Sequence, residues 1–149
     1  MNSSYFALIQ SDRVSQRTTD VLLERAQPLD PNHQPKLELG ANFAILGAIV
    51  ELLIPQGDLG SLVEIASKLA EQRSSGTGDG WRYASMPPDA DALVQGLDLV
   101  EASANSSYET SFLLLDREQK STLLAKVQRG EVAWPQLDAK RWFEDLMAE

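Results

Sequence analysis

Cysteine is absent from the 149 residues, which excludes disulfides, thiolate nucleophiles, cysteine zinc sites and cysteine-ligated iron–sulfur clusters. Histidine is almost as scarce. The single one, His33, has no HxxE or HExxH partner and stands two residues before Pro35, so it reads as a loop residue rather than a base or ligand. Basic charge is also in short supply. Thirteen Lys and Arg against 22 Asp and Glu give a net charge of -9, and the cations are scattered, which argues against a nucleic acid partner. Long apolar runs are missing as well. The longest, Phe43 to Ile54, contains Glu51 and stops at Pro55, too short for a membrane span. The start, MNSSYFALIQ, lacks a basic region followed by a sustained apolar run, so no secretion leader is expected and the cytoplasm is the compartment it implies.

Reaction motifs are equally hard to find. The GTGDG run, Gly76 to Gly80, lacks the lysine of a phosphate-cradling loop and does not lie between a strand and a helix. Asp79, Asp89 and Asp91 do not have the spacing of a calcium loop and read as solvated surface. Ser74, Ser75 and Ser103 stand in no nucleophile-elbow sequence, and Glu51 and Glu64 would act together only if the fold joined them. An independent small hydrolase is therefore the weakest reading. No catalytic, metal-binding or cofactor-binding residue is assigned.

What is present is apolar periodicity. Hydrophobic residues make up 43% of the chain and mean hydropathy is slightly negative, the composition of a globular domain. One domain is expected over residues 1–149, with 1–14 flexible. A first helix is predicted from about Ser15 to Ala26, with Val14, Val21 and Leu22 inward. After the proline-rich QPLDPNHQPKLELG connector, Asn42 is a cap for a helix in which Phe43, Leu46, Ile49, Val50 and Leu53 share a face. Asp58 is the cap of a third, with Leu62, Ile65, Ala66 and Leu69 inward through about Arg73. SSGTGDG reads as a mobile loop with Trp81 and Tyr83 pinning its far end. Asp89 then caps a helix to about Ala102 carrying Leu93, Leu97 and Val100, and Gly96 marks a place for close helix packing.

The strongest local signal is LDREQKSTLLAKVQRG. Asp116 caps it, Gln119 is the reciprocal partner, Leu123, Leu124 and Val127 face inward and Gly130 stops the helix. A last helix starts near Asp138 and directs Trp142, Phe143, Leu146 and Met147 toward the bundle or a partner. These elements predict an all-α fold, a compact bundle of about five principal helices with a mobile central loop. Tyr108, Phe112, Trp134, Trp142 and Phe143 carry large apolar areas that either complete the core or anchor a protein interface. They are the candidate interface residues.

The order of these segments resembles the small-subunit family of gluconate 2-dehydrogenase, its subunit 3 family. The likeness runs from Phe43 to Phe143, through LLIPQGD, GLDLVEA, SFLLLDREQKSTLLAKVQRG and the aromatic last helix. Leu53, Ile54, Pro55, Leu97, Phe112, Leu115, Asp116, Leu124 and Phe143 are the matching structural positions. The resemblance implies a noncatalytic subunit that stabilises or activates a large glucose-methanol-choline-type flavoprotein, an FAD-dependent sugar, sugar-acid or polyol dehydrogenase. FAD is expected in that partner, not in this chain. It also implies a periplasmic complex when such a subunit is processed or co-exported, although this sequence shows neither the twin-arginine leader nor the glycine-rich extension expected of the family. A stand-alone helical regulatory or ligand-binding domain is the alternative.

Overall fold

In the computed structural model, residues 7–11, 13–25, 39–54, 59–75 and 86–148 are described. They form helices and, among the described residues, no strand, so the fold is all-α. The chain divides into two compact units, Met1–His33 and Gln34–Glu149. Expectations placed on His33, Asp58, Asp79, Trp81 and Tyr83, on the prolines of the connector and on the glycine loop fall outside the described residues.

In the first unit, α1 spans Gln16–Arg25. The Ser15 hydroxyl accepts the Thr18 N–H at 3.2 Å, which satisfies one of the amides that a helix start leaves free. The Thr19 hydroxyl donates to the Ile9 carbonyl at 2.8 Å, so this buried polar group is paired. Val21, expected on the inward stripe, is 40% exposed. It follows Thr19 by two residues, about 200° around the helix, and so lies on the opposite side.

The second unit contains α2 (Asn42–Leu53), α3 (Leu59–Ser75), α4 (Asp89–Tyr108), the short 3-10 turn η1 (Phe112–Leu114), α5 (Arg117–Gln128) and α6 (Ala139–Ala148). Helix α4 is the hub: it packs on α2, α3, α6 and η1, while α5 packs on α6. Its inward face, Ala92, Leu93, Gly96, Leu97, Val100 and Ala104, alternates small and large residues at helical spacing, which lets neighbours approach closely. That face continues past the expected end at Ala102. Ala104 extends the stripe, and the polar residues nearby are satisfied locally: Ser103 donates to the Leu99 carbonyl and Asn105 to the Glu101 carbonyl. The helix therefore runs on to Tyr108.

Two other caps differ from the sequence reading. Asn42 is the first helical residue rather than the cap, and its amide instead donates to the Asp98 carboxylate at 2.7 Å, joining α2 to α4. Pro88 occupies the cap position of α4. Asp89 thus lies one residue further in, where with Asp91 it places negative charge beside the positive end of the helix. On α3 the inward set is Leu62, Ala66, Leu69, Ala70 and Arg73, and Ile65 is 37% exposed. Met147, expected to face the bundle or a partner, is more than half exposed.

Helix α5 agrees with the sequence reading at both ends. Asp116 Oδ1 accepts the Gln119 N–H at 2.8 Å and Gln119 Oε1 accepts the Asp116 N–H at 3.1 Å, a complete capping box. Beyond its last turn Gly130 takes φ +68°, and the N–H groups of Gly130 and Glu131 return to the carbonyls of Val127 and Lys126, closing the helix in a Schellman motif. Substituting Asp116→Ala removes the acceptor and should lower stability by about 1 kcal/mol. Chemical denaturation reads this directly; an unchanged midpoint and slope would mean that the box contributes nothing.

Candidate functional site

The corner joining α4 to α5 is built around Glu101. One carboxylate oxygen, Oε2, accepts the Phe112 N–H at 2.9 Å and the Ser111 hydroxyl at 3.2 Å. The other accepts the Asn105 amide at 3.1 Å. A side chain on the long helix therefore supplies the acceptor for the free amide at the start of η1, which no local side chain caps. Helix α4 itself ends in Glu109, a non-glycine residue at φ 56° whose N–H closes on the Asn105 carbonyl at 3.0 Å.

Within this corner the four residues after Ser111 sort by direction. Phe112 and Leu115 are buried in the core, whereas Leu113 is 39% and Leu114 78% exposed. A 3-10 turn brings positions three apart onto one side, so Phe112 and Leu115 enter together and the two leucines between them face out. Lys120 Nζ stands 5.9 Å from the centre of the Phe112 ring, close enough for a cation–π attraction.

A second feature lies where α4 meets α6. Gly96 has no side chain, and a Cβ built there would run into Nε1, Cε2 and Cδ1 of Trp142. The indole of Trp142 takes up the space that a side chain at this position would need. Behind it Trp134 makes an edge contact, with ring centres 5.4 Å apart and planes at 66°, a favoured aromatic geometry. Trp134 Nε1 donates to the Ser103 hydroxyl at 3.0 Å, and that hydroxyl donates onward to Leu99.

The third feature is charged. Arg73 on α3 is buried, and it donates to Asp145 twice, from Nη1 to the carboxylate at 2.8 Å and from Nη2 to the backbone carbonyl at 2.7 Å. A shallow depression is lined by Arg73, Asp89, Ala92, Leu93, Trp142, Asp145 and Leu146. At the surface, a hydrogen bond from Arg129 holds the Glu131 carboxyl below the usual range, and the same contact raises the Arg129 guanidinium. Glu64, one of the paired carboxylates considered from sequence, is 3.0 Å from Lys68 on its own helix, while Glu51 lies exposed on α2. Among the described residues, no group of three or more histidine or acidic side chains is arranged to hold a metal ion, and no helix is long and apolar enough to cross a membrane.

The five aromatic interface candidates separate by burial. Phe112, Trp142 and Phe143 are in the core, the first of the two uses expected of them, and their area is already removed from water. Tyr108 and Trp134 are half-buried and packed against that core. The residues that sequence reasoning passed over are Leu113 and Leu114. The available signal was the uninterrupted LLL after Phe112, too many apolar residues in succession for one turn to bury.

The family model described as Gluconate 2-dehydrogenase subunit 3 matches residues 41–149, a span that includes the hub helix, the Glu101 corner and the tryptophan contact. Neither a curated protein nor a solved structure matches the chain.

Proposed function

The chain belongs to the gluconate 2-dehydrogenase subunit 3 family, and from that premise we propose that it is the noncatalytic small subunit of an oxidoreductase complex, stabilising or activating a large FAD-dependent dehydrogenase of the glucose-methanol-choline type. The family match over residues 41–149 carries the proposal. On this reading the large chain holds FAD and oxidises a sugar, sugar acid or polyol. The helical unit acts by binding it.

The reading accords with how the polar groups of the second unit are used. Glu101, Asp116 and Asp145 each hold a helix end, a turn or a neighbouring helix in place. Such groups rigidify a binding surface, and a rigid surface loses less entropy when a partner docks. The test is reconstitution. The full chain, purified alone, is expected to reduce no artificial electron acceptor with any member of a sugar, sugar-acid and polyol panel. Coexpression with the large flavin-containing chain should increase either the yield of that chain with flavin bound or its turnover. Substrate oxidation by the isolated 149-residue chain would overturn the proposal.

A further inference from the structure

We propose that the Leu113–Leu114 turn is the apolar centre of the surface by which this chain docks on its large partner, and that it enters an apolar recess with a basic rim. The inference rests on the small-subunit reading above and names the contact that reading requires.

Exposed leucines are common on proteins and carry no message singly. Here two adjacent leucines are held outward by construction. Phe112 and Leu115 fix the turn from either side by entering the core. Glu101 grips its first N–H, the Leu114 and Leu115 amides close on the carbonyls of Ser111 and Phe112, and the capping box begins at the next residue, Asp116. The backbone amides of Phe112, Leu114, Leu115 and Asp116 thus each have an acceptor. A turn so restrained has little backbone freedom to lose on binding.

Charge and shape identify the occupant. From residue 109 to 120 the charged groups are Glu109, Asp116 and Glu118 against Arg117 and Lys120, the last drawn over the Phe112 ring, so acid prevails around the turn, in a chain of net charge -9. A second copy brings the same acidic surroundings and the same projecting ridge, so two copies repel and do not interlock. A positively rimmed recess on a different protein meets both requirements.

The test uses the tagged full chain coexpressed with the large flavin-containing chain, and measures flavin recovered per small chain, with helicity and thermal unfolding checked for each variant. Leu114→Asp should reduce recovery about tenfold or more, the loss expected when one buried leucine contact is replaced by a desolvated charge. Leu113→Ser/Leu114→Ser should do the same without adding charge, and it keeps the test decisive should the aspartate variant fold poorly. Leu114→Met, and Val63→Ser at an exposed site on α3, should retain wild-type recovery. Raising the salt concentration should weaken wild-type association. Wild-type recovery by folded serine and aspartate variants overturns the docking assignment and leaves the small-subunit reading intact. A wild-type dimer abolished by Leu114→Asp also overturns it, in favour of self-association. Absence of any flavoprotein with the wild-type chain is a different pattern, which defeats the small-subunit reading and this inference with it.

Discussion

Replacing Gly96 with alanine is expected to destabilise the protein by about 2 kcal/mol or more, although alanine is the better helix former. Alanine in place of glycine inside a helix ordinarily gains up to about 1 kcal/mol. Against that gain stands a methyl group that would occupy the same space as the Trp142 indole. The ring has no simple way to retreat: Trp142 is 2% exposed and Trp134 stands against it. Either α6 moves away from α4 or the indole leaves its site, and both sacrifice packing. Denaturant melts of Gly96→Ala, Trp142→Leu and the double variant resolve the cause. If the clash is responsible, the alanine costs much less once the indole is gone, so the two effects are strongly non-additive. Equal costs in the two backgrounds would refute the close contact.

Asp145→Ala is the second large effect. Removing one member of a buried ion pair leaves the other charge in a poor solvent, at about 3–5 kcal/mol for well-buried pairs. Two features place this case at the low end, about 3 kcal/mol. The Asp145 side chain is 23% exposed, and the backbone carbonyl that accepts Arg73 Nη2 survives the substitution. Replacing both partners, Arg73→Met with Asp145→Leu, should recover much of the loss, because the desolvated guanidinium is removed together with the carboxylate that balances it. A double variant less stable than Asp145→Ala would show instead that the pair is worth more than the apolar packing that replaces it.

The difference between what the sequence discloses and what it withholds follows the range of each interaction. Helix α5 was legible because its signals are local: the carboxylate, amide and glycine that define its ends act within five residues of the backbone groups they satisfy. Asn42 departs from the cap reading because a cap and a cross-helix hydrogen bond need the same side chain, and only the fold brings Asp98 within 2.7 Å. The end of α4 was placed six residues early, at Ala102 rather than Tyr108, because serine and asparagine weaken a helix in isolation, while the contacts of Ala104 and the local bonds of Ser103 and Asn105 sustain it here. The outward turn shows the same limit. Periodicity located the apolar segment around Phe112, yet which of its residues face inward depends on the 3-10 geometry and on a carboxylate eleven residues earlier. The bulky aromatics drew attention by size, and size is also why the core takes them.

The meeting of Trp134 with Trp142 has an optical consequence. The chain contains three tryptophans, and these two stand with ring centres 5.4 Å apart, near enough for their electronic transitions to couple. Circular dichroism in the near ultraviolet should therefore carry an indole signal that depends on the seating of α6 against α4. Fluorescence of the same pair would follow any reseating in real time, giving a reporter native to the chain, one that needs no attached dye to tell whether engagement of the outward turn is felt in the interior.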